Sequence, residues 1–234
     1  MEIFTEKRLV ILRDIRKALI RIMAIGGLVF LGILFFVEQI MRVLKDIINM
    51  KLILYSLPEA FMSYLKVAFL FALLLIVPYI LYEITRIVNN YANIKGVPLY
   101  FIIFVGTSLF YSGCFFCYKF VLPSGINFLL QYQTDYLKPM ISLSAYISFV
   151  FTFLIVFGIM FELPLIIGLL GRIGIINTTF LNRQRRFFIL LNALLSAMLT
   201  PTPDVFNMLL MMVPMQVLYE VGVIVVYFTK NKEL

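Results

Sequence analysis

The chain has 234 residues, 63% of them hydrophobic and 14% charged, where a soluble domain carries about 25% charged residues. It holds no histidine, so the commonest metal ligand and general base are missing, and enzyme or metal chemistry loses its usual equipment. The formal charge of +8 sits in short segments between apolar runs, which argues against nucleic acid and for a membrane orientation signal.

In chain order, the first apolar run begins only after Met1–Lys17, is long enough to span, and lacks a small-residue cleavage site, so it is expected to stay as a span. Charge-free stretches follow at Val67–Tyr82, Pro98–Tyr118 and Phe187–Pro203. Roughly 20 mostly apolar residues in a helix cross a bilayer core. The expected architecture is therefore all-α and polytopic, one integral membrane domain over 1–234 with six spans at about 20–40, 66–84, 98–118, 146–170, 187–200 and 206–228. Residues 38–60 alternate charged and apolar positions at helical spacing, as an interfacial amphipathic helix does. The connection 119–145 carries Pro123 and Pro139, and Pro201–Asp204 reads as a tight turn. The fifth span is short, because Phe187–Leu199 supplies only about 20 Å of helix.

Six spans place both termini on one side. Of the 20 lysines and arginines, fourteen then fall on that side, including Lys7, Arg8, Arg13, Arg16, Lys17 and Arg21, and six on the other. Positive residues stay inside, so both termini are expected in the cytoplasm. Cys114 and Cys117 share a face of an apolar helix and read as small packing residues rather than a redox pair.

The carboxylates inside or beside the spans carry more than hydrophobicity. Glu162 has no charge near it in FGIMFELPLIIG, and Pro164 two residues on should kink the span and free the carbonyl of Met160. A charge near a span centre costs about 2.5–3.5 kcal/mol on insertion scales and normally faces a cavity or a partner. Glu220 lies on the last span, with snorkelling to the membrane surface as the plainer account. Glu83 ends the second span, where Arg86 three residues on is the expected partner, and Lys17 is the expected partner of Asp14. Asp204 reads as turn or cap chemistry before the last span.

Three segments stand out as motifs: SLPEAFMSYLKVAF with VPYILYEI within Ser56–Ile84, YISFVFTFLIVFGIMFELP (Tyr146–Pro164) and MLTPTPDVFNMLLMMVPMQVLYEVGV (Met198–Val223). FVLPSGINFLL (Phe120–Leu130) and LRDIRKALI (Leu12–Ile20) join them more loosely. Taken together and in order, these segments resemble the TatC family. The resemblance implies a six-helix, cup-shaped receptor with both termini inside. It implies binding of signal peptides with paired arginines, work with the single-span partners TatA and TatB, and export of folded proteins by the proton-motive force. Self-association is compatible with it. It implies no cofactor, no metal and no enzymatic step, and a bacterial inner membrane, with an organellar inner membrane as the alternative.

Carried over by position, the acidic residue of the family's N-terminal motif falls on Asp14 and its first arginine on Arg16, beside Lys17. The second arginine falls on Ala18, a departure. The intramembrane glutamate maps onto Glu162 and the outer aspartate onto Asp204. In the first cytoplasmic loop, RIVNNYANIKGV, the family's phenylalanine, proline and glutamate become Ile87, Asn90 and Gly96. With that glutamate gone, Glu83 is the expected substitute beside Asp14 for holding signal arginines, and Glu162 and Glu220 are the expected intramembrane contacts for partners. A small-solute transporter or channel subunit is the competing reading. It calls for an inverted repeat and more intramembrane polar residues than Glu162, Glu220 and Asn192.

Overall fold

The structure, a computed structural model, describes residues 2–47, 56–92, 98–131, 142–199 and 205–230. Gly96, Asp204, the turn at Pro201 and the region of Pro139 lie outside them. The described residues form nine α-helices, one π-helical segment and no strand. Five stretches among them are long and apolar enough to cross a membrane: Val10–Leu34, Pro58–Tyr91, Leu99–Ile126, Leu143–Arg172 and Met211–Phe228. The chain divides into two compact units, Met1–Thr107 with Pro139–Phe151, and Ser108–Lys138 with Thr152–Leu234.

In the first unit, α1 (Glu2–Leu34) is followed by α2 (Val37–Ile47), and α3 (Leu57–Ala92) returns antiparallel to α1. The first span therefore ends earlier than expected: the amides of Phe35 and Phe36 bond to the carbonyls of Gly32 and Ile33, tight i→i−3 contacts that close the helix. Of the amphipathic helix expected at 38–60, α2 is the described part; residues 48–55 lie outside the described residues and 57–60 already belong to α3. Val37 and Met41, four apart, are buried, while Glu38, Gln39 and Arg42 are exposed. Val37 and Met41 join Ile33, Val67, Ala68, Ala72, Leu143 and Ile147 in one core, the last two from the start of α6 (Leu143–Phe161). That start is tied down by polar contacts too. Glu59 accepts from the Ser142 hydroxyl and the Ser144 amide, and the Lys66 ammonium donates to the Ser144 and Ser148 hydroxyls at 2.8 Å each.

The second unit begins at Ser108 within α4 (Leu99–Phe116), which ends in the π-helical Cys117–Val121, followed by α5 (Leu122–Gln131). The fourth apolar stretch breaks at Glu162 into α6 and α7 (Leu163–Arg172), as the position of Pro164 requires. A Schellman turn ends α7: Gly174 takes φ +80°, its amide bonds the Gly171 carbonyl, and the Ile175 amide bonds the Leu170 carbonyl. Asn177 then caps α8 (Thr178–Leu199), its side-chain oxygen accepting from the Phe180 amide at 2.7 Å. Arg183, Arg185 and Arg186 fall within any span-length window of α8, so only its apolar second half, from Phe187, matches the short fifth span. Helix α9 (Val205–Lys230) packs on α7 through glycines. A Cβ at Gly171 would stand 2.6 Å from Val226, and one at Gly222 2.9 Å from Ile167.

Helices α4 and α6 approach closely in the same way. Gly158 faces the Phe110 ring, and a Cβ at Gly113 would meet the Phe157 backbone carbonyl at 2.7 Å and Phe161 at 2.8 Å. A backbone oxygen cannot swing aside as a side chain can. Gly113→Ala should therefore lower stability by about 1–3 kcal/mol through overpacking. Gly32→Ala, where nothing lies within 4 Å, should be neutral or mildly stabilising. Thermal unfolding in detergent followed by circular dichroism checks the pair; equal melting temperatures would contradict the close approach.

Candidate functional site

The α1–α3 seam of the first unit gathers the N-terminal carboxylates. Glu83 on α3 is almost fully buried, its side chain 2% exposed. Its Oε2 accepts from the Arg21 guanidinium at 3.0 Å and its Oε1 from the Tyr79 hydroxyl at 2.8 Å. Its partner is thus Arg21 of the facing helix rather than Arg86, which is exposed. Burial decides this. A desolvated carboxylate needs a full charge-assisted bond, whereas a pair between helix neighbours is worth only a few tenths of a kcal/mol at a surface.

Asp14 behaves similarly. Its Oδ2 accepts from the Tyr91 hydroxyl across the seam at 2.7 Å, in place of the expected pair with Lys17. Asp14 with Tyr91 and Arg21 with Glu83 are rungs of one antiparallel register, which continues to Phe30 and Phe69, whose rings meet edge-on at 6.5 Å. Arg16 and Lys17 are exposed on α1, and Ala18 is buried. Arg21, Tyr79 and Tyr91 were not legible as site residues. Arg21 counted only as an orientation charge, although its place seven residues after Asp14 puts both on one helix face.

In the second unit, Glu162 sits at the break between α6 and α7. It is 7% exposed, and neither carboxylate oxygen has a hydrogen-bond partner among the described residues. Its backbone is satisfied, the amide bonding Ile159 and the carbonyl accepting from Ile166. The break thus delivers a buried carboxylate with open acceptors, a costly state for a side chain unless something meets it.

Glu220 differs. Arg185 donates to its Oε2 at 2.7 Å, and Gln216 reaches its Oε1 at 3.5 Å while accepting from Asn192 at 3.0 Å. A polar line thus runs along the α8–α9 interface. The Tyr219 hydroxyl, one residue before Glu220, donates to the Leu181 carbonyl at 2.8 Å, and its ring stacks on Phe188 at 4.2 Å. Cys114 and Cys117 are free thiols, Cys117 fully buried and Cys114 aimed at the Leu154 carbonyl at 3.6 Å. Among the described residues no cluster of metal-ligating side chains occurs.

The family of Sec-independent protein translocase proteins, TatC, matches residues 10–214. The chain belongs to the TatC family. The TatC of Carboxydothermus hydrogenoformans is 37% identical over 193 residues, covering 80% of this chain and 77% of that one. The TatC of Desulforapulum autotrophicum is 32% identical over 221 residues, covering 91% and 81%. A crystal structure of a TatC described as the twin arginine translocase receptor superposes with a TM-score of 0.82 at 26% identity, over 94% of this chain and 99% of that one. The chain is accordingly a polytopic membrane component of a protein translocase, a transport subunit and not an enzyme.

The two ion pairs differ in burial, and this TatC-family chain should feel their loss differently. Arg21→Met leaves Glu83 buried and unpaired, a change that costs about 3–5 kcal/mol. Glu83→Gln should cost less, because the Arg21 side chain it leaves unpaired is 45% exposed and far less desolvated than the carboxylate. Arg185→Met should cost under about 1 kcal/mol, since both members of that pair are more than a third exposed. Chemical unfolding in mixed micelles compares the three. Equal losses for Arg21→Met and Arg185→Met would contradict the burial difference.

Proposed function

We propose that this chain is the receptor subunit of a twin-arginine translocase. In this reading it binds signal peptides of folded proteins, assembles with TatA- and TatB-type single-span partners, and supports export driven by the proton-motive force across a bacterial inner membrane. The observation that carries the reading is the α1–α3 seam, where Asp14 and Glu83 stand within about two helical turns of each other. Paired arginines call for carboxylates, because bidentate charge-assisted bonds are the strong ones. Arg16 and Lys17 flank the seam and would orient the peptide's approach. The topology follows from the basic asymmetry of the sequence, with six spans and both termini cytoplasmic.

Glu162 supplies the partner contact in this reading. A buried carboxylate with both acceptors open suits a polar donor on an incoming transmembrane helix, which would otherwise lie unsatisfied in hydrocarbon. Glu220, already held by Arg185, takes the secondary role.

Photo-crosslinking to a paired-arginine signal peptide tests the receptor function. Asp14→Ala and Glu83→Ala should each weaken the adduct, and Gly96→Glu should strengthen the preference for paired arginines. If neither alanine variant changes the yield, this chain does not read arginine pairs at the seam. Glu162→Ala should reduce export while leaving the protein inserted, with Glu162→Gln milder because an amide still hydrogen-bonds. Export at the wild-type rate in Glu162→Ala would make the residue structural only. In a Cys114→Ala, Cys117→Ala background, a cysteine near Asn231 should be labelled only from the cytoplasmic side.

A further inference from the structure

We propose that Arg21 is a specificity-determining residue: its guanidinium occupies Glu83 as an internal stand-in for a signal-peptide arginine, and an arriving arginine gains that carboxylate only by displacing it. The inference rests on the receptor reading above and adds a competitor built into the site.

The asymmetry of the pair carries it. The side chain of Glu83 is 2% exposed, while that of Arg21 is 45% exposed. Arg21 therefore has room to leave the pair along the helix surface, and the cost of parting falls on Glu83. Glu83 has no such escape. Whenever Arg21 leaves, a buried carboxylate stands uncompensated and demands another cation. Arg21 also holds Glu83 through a single nitrogen, Nη2 to Oε2 at 3.0 Å, while Oε1 is taken by the Tyr79 hydroxyl. A guanidinium that engages both oxygens makes the stronger, fork-on-fork contact, so the resident arginine is outbid by a better-placed one.

The surroundings fit a guarded site beside an open one. Asp14 lies seven residues before Arg21 on the same face of α1, about 10 Å along the axis. Among the described residues its hydrogen-bond partner is a neutral hydroxyl, that of Tyr91, which is itself exposed. Ala18, one turn before Arg21 on that face, is buried and adds no second cation. The seam thus offers one carboxylate held by a neutral hydroxyl and one already occupied by a guanidinium. A lysine ammonium lacks the planar fork needed to replace a guanidinium on a carboxylate. The guard therefore sharpens the choice of arginine over lysine at the second position.

The test measures binding of fluorescent signal peptides carrying Arg-Arg, Lys-Arg or Lys-Lys to the full-length protein in nanodiscs. The proteins are the wild type, Asp14→Ala, Arg21→Gln, Arg21→Lys, Glu83→Gln and Arg21→Gln/Glu83→Gln. Arg21→Gln should bind the Arg-Arg peptide about tenfold more tightly, the effect of removing one charge-assisted competitor. It should gain still more for Lys-Lys, so the preference for arginine falls. Arg21→Lys should shift in the same direction by less, which keeps the test open if Arg21→Gln does not yield monodisperse protein. In the Glu83→Gln background the Arg21 effect should vanish. A wild type that prefers Arg-Arg, with Arg21→Gln and Arg21→Lys binding no more tightly, would show Arg21 to be a structural pin and overturn the assignment alone. A wild type indifferent to Arg-Arg against Lys-Lys, and insensitive to Asp14→Ala, would overturn the receptor reading and the guard with it.

Discussion

Hydrocarbon offers no hydrogen-bond partner, so each polar side chain on a membrane-crossing helix has to be met by another part of the protein or remain costly. The polar residues of this chain mark its helix seams for that reason. Arg21 and Tyr79 meet Glu83 between α1 and α3, Lys66 meets Ser144 and Ser148 between α3 and α6, and the line from Asn192 through Gln216 and Glu220 to Arg185 joins α8 to α9. Each is a fixed point of register between helices whose apolar surfaces, facing lipid as apolar as themselves, have little else to select one alignment.

The same absence of water shapes the backbone. With hydrophobic burial weakened as a driving force, helices gain by close approach, and glycine permits it. Gly113 and Gly158 bring α4 against α6, while Gly168, Gly171 and Gly222 bring α7 against α9. Proline does the complementary work. Pro164 ends α6 and begins α7, and the break sets Glu162 in a buried place with its backbone satisfied and its carboxylate open. Helix packing and polar chemistry therefore come from one local device: a break whose second half, α7, is clamped on α9.

The charges of the α1–α3 seam are paired unequally. Glu83, 2% exposed, faces Arg21, 45% exposed, across the two helices. The proposed receptor function and the proposed guard both follow from that inequality, between a buried acid and a base at the helix surface.

Much of this protein was written in local sequence. Charge-free runs, the alternation in α2, the break at Pro164 and the shortness of the apolar half of α8 are properties of neighbouring residues, and the bilayer reads them directly as length, period and polarity. Family membership was likewise legible, because the motifs that carry it are contiguous. Partner choice was not. Arg86 and Lys17, each three residues on, are the opposite charges that helical spacing offers Glu83 and Asp14, yet Arg21, 62 residues from Glu83, and Tyr91, 77 residues from Asp14, are the ones that touch them. The antiparallel register of α1 on α3 decided that. A buried carboxylate answers to what faces it across the seam, and no local rule names which residue of a distant helix will stand there.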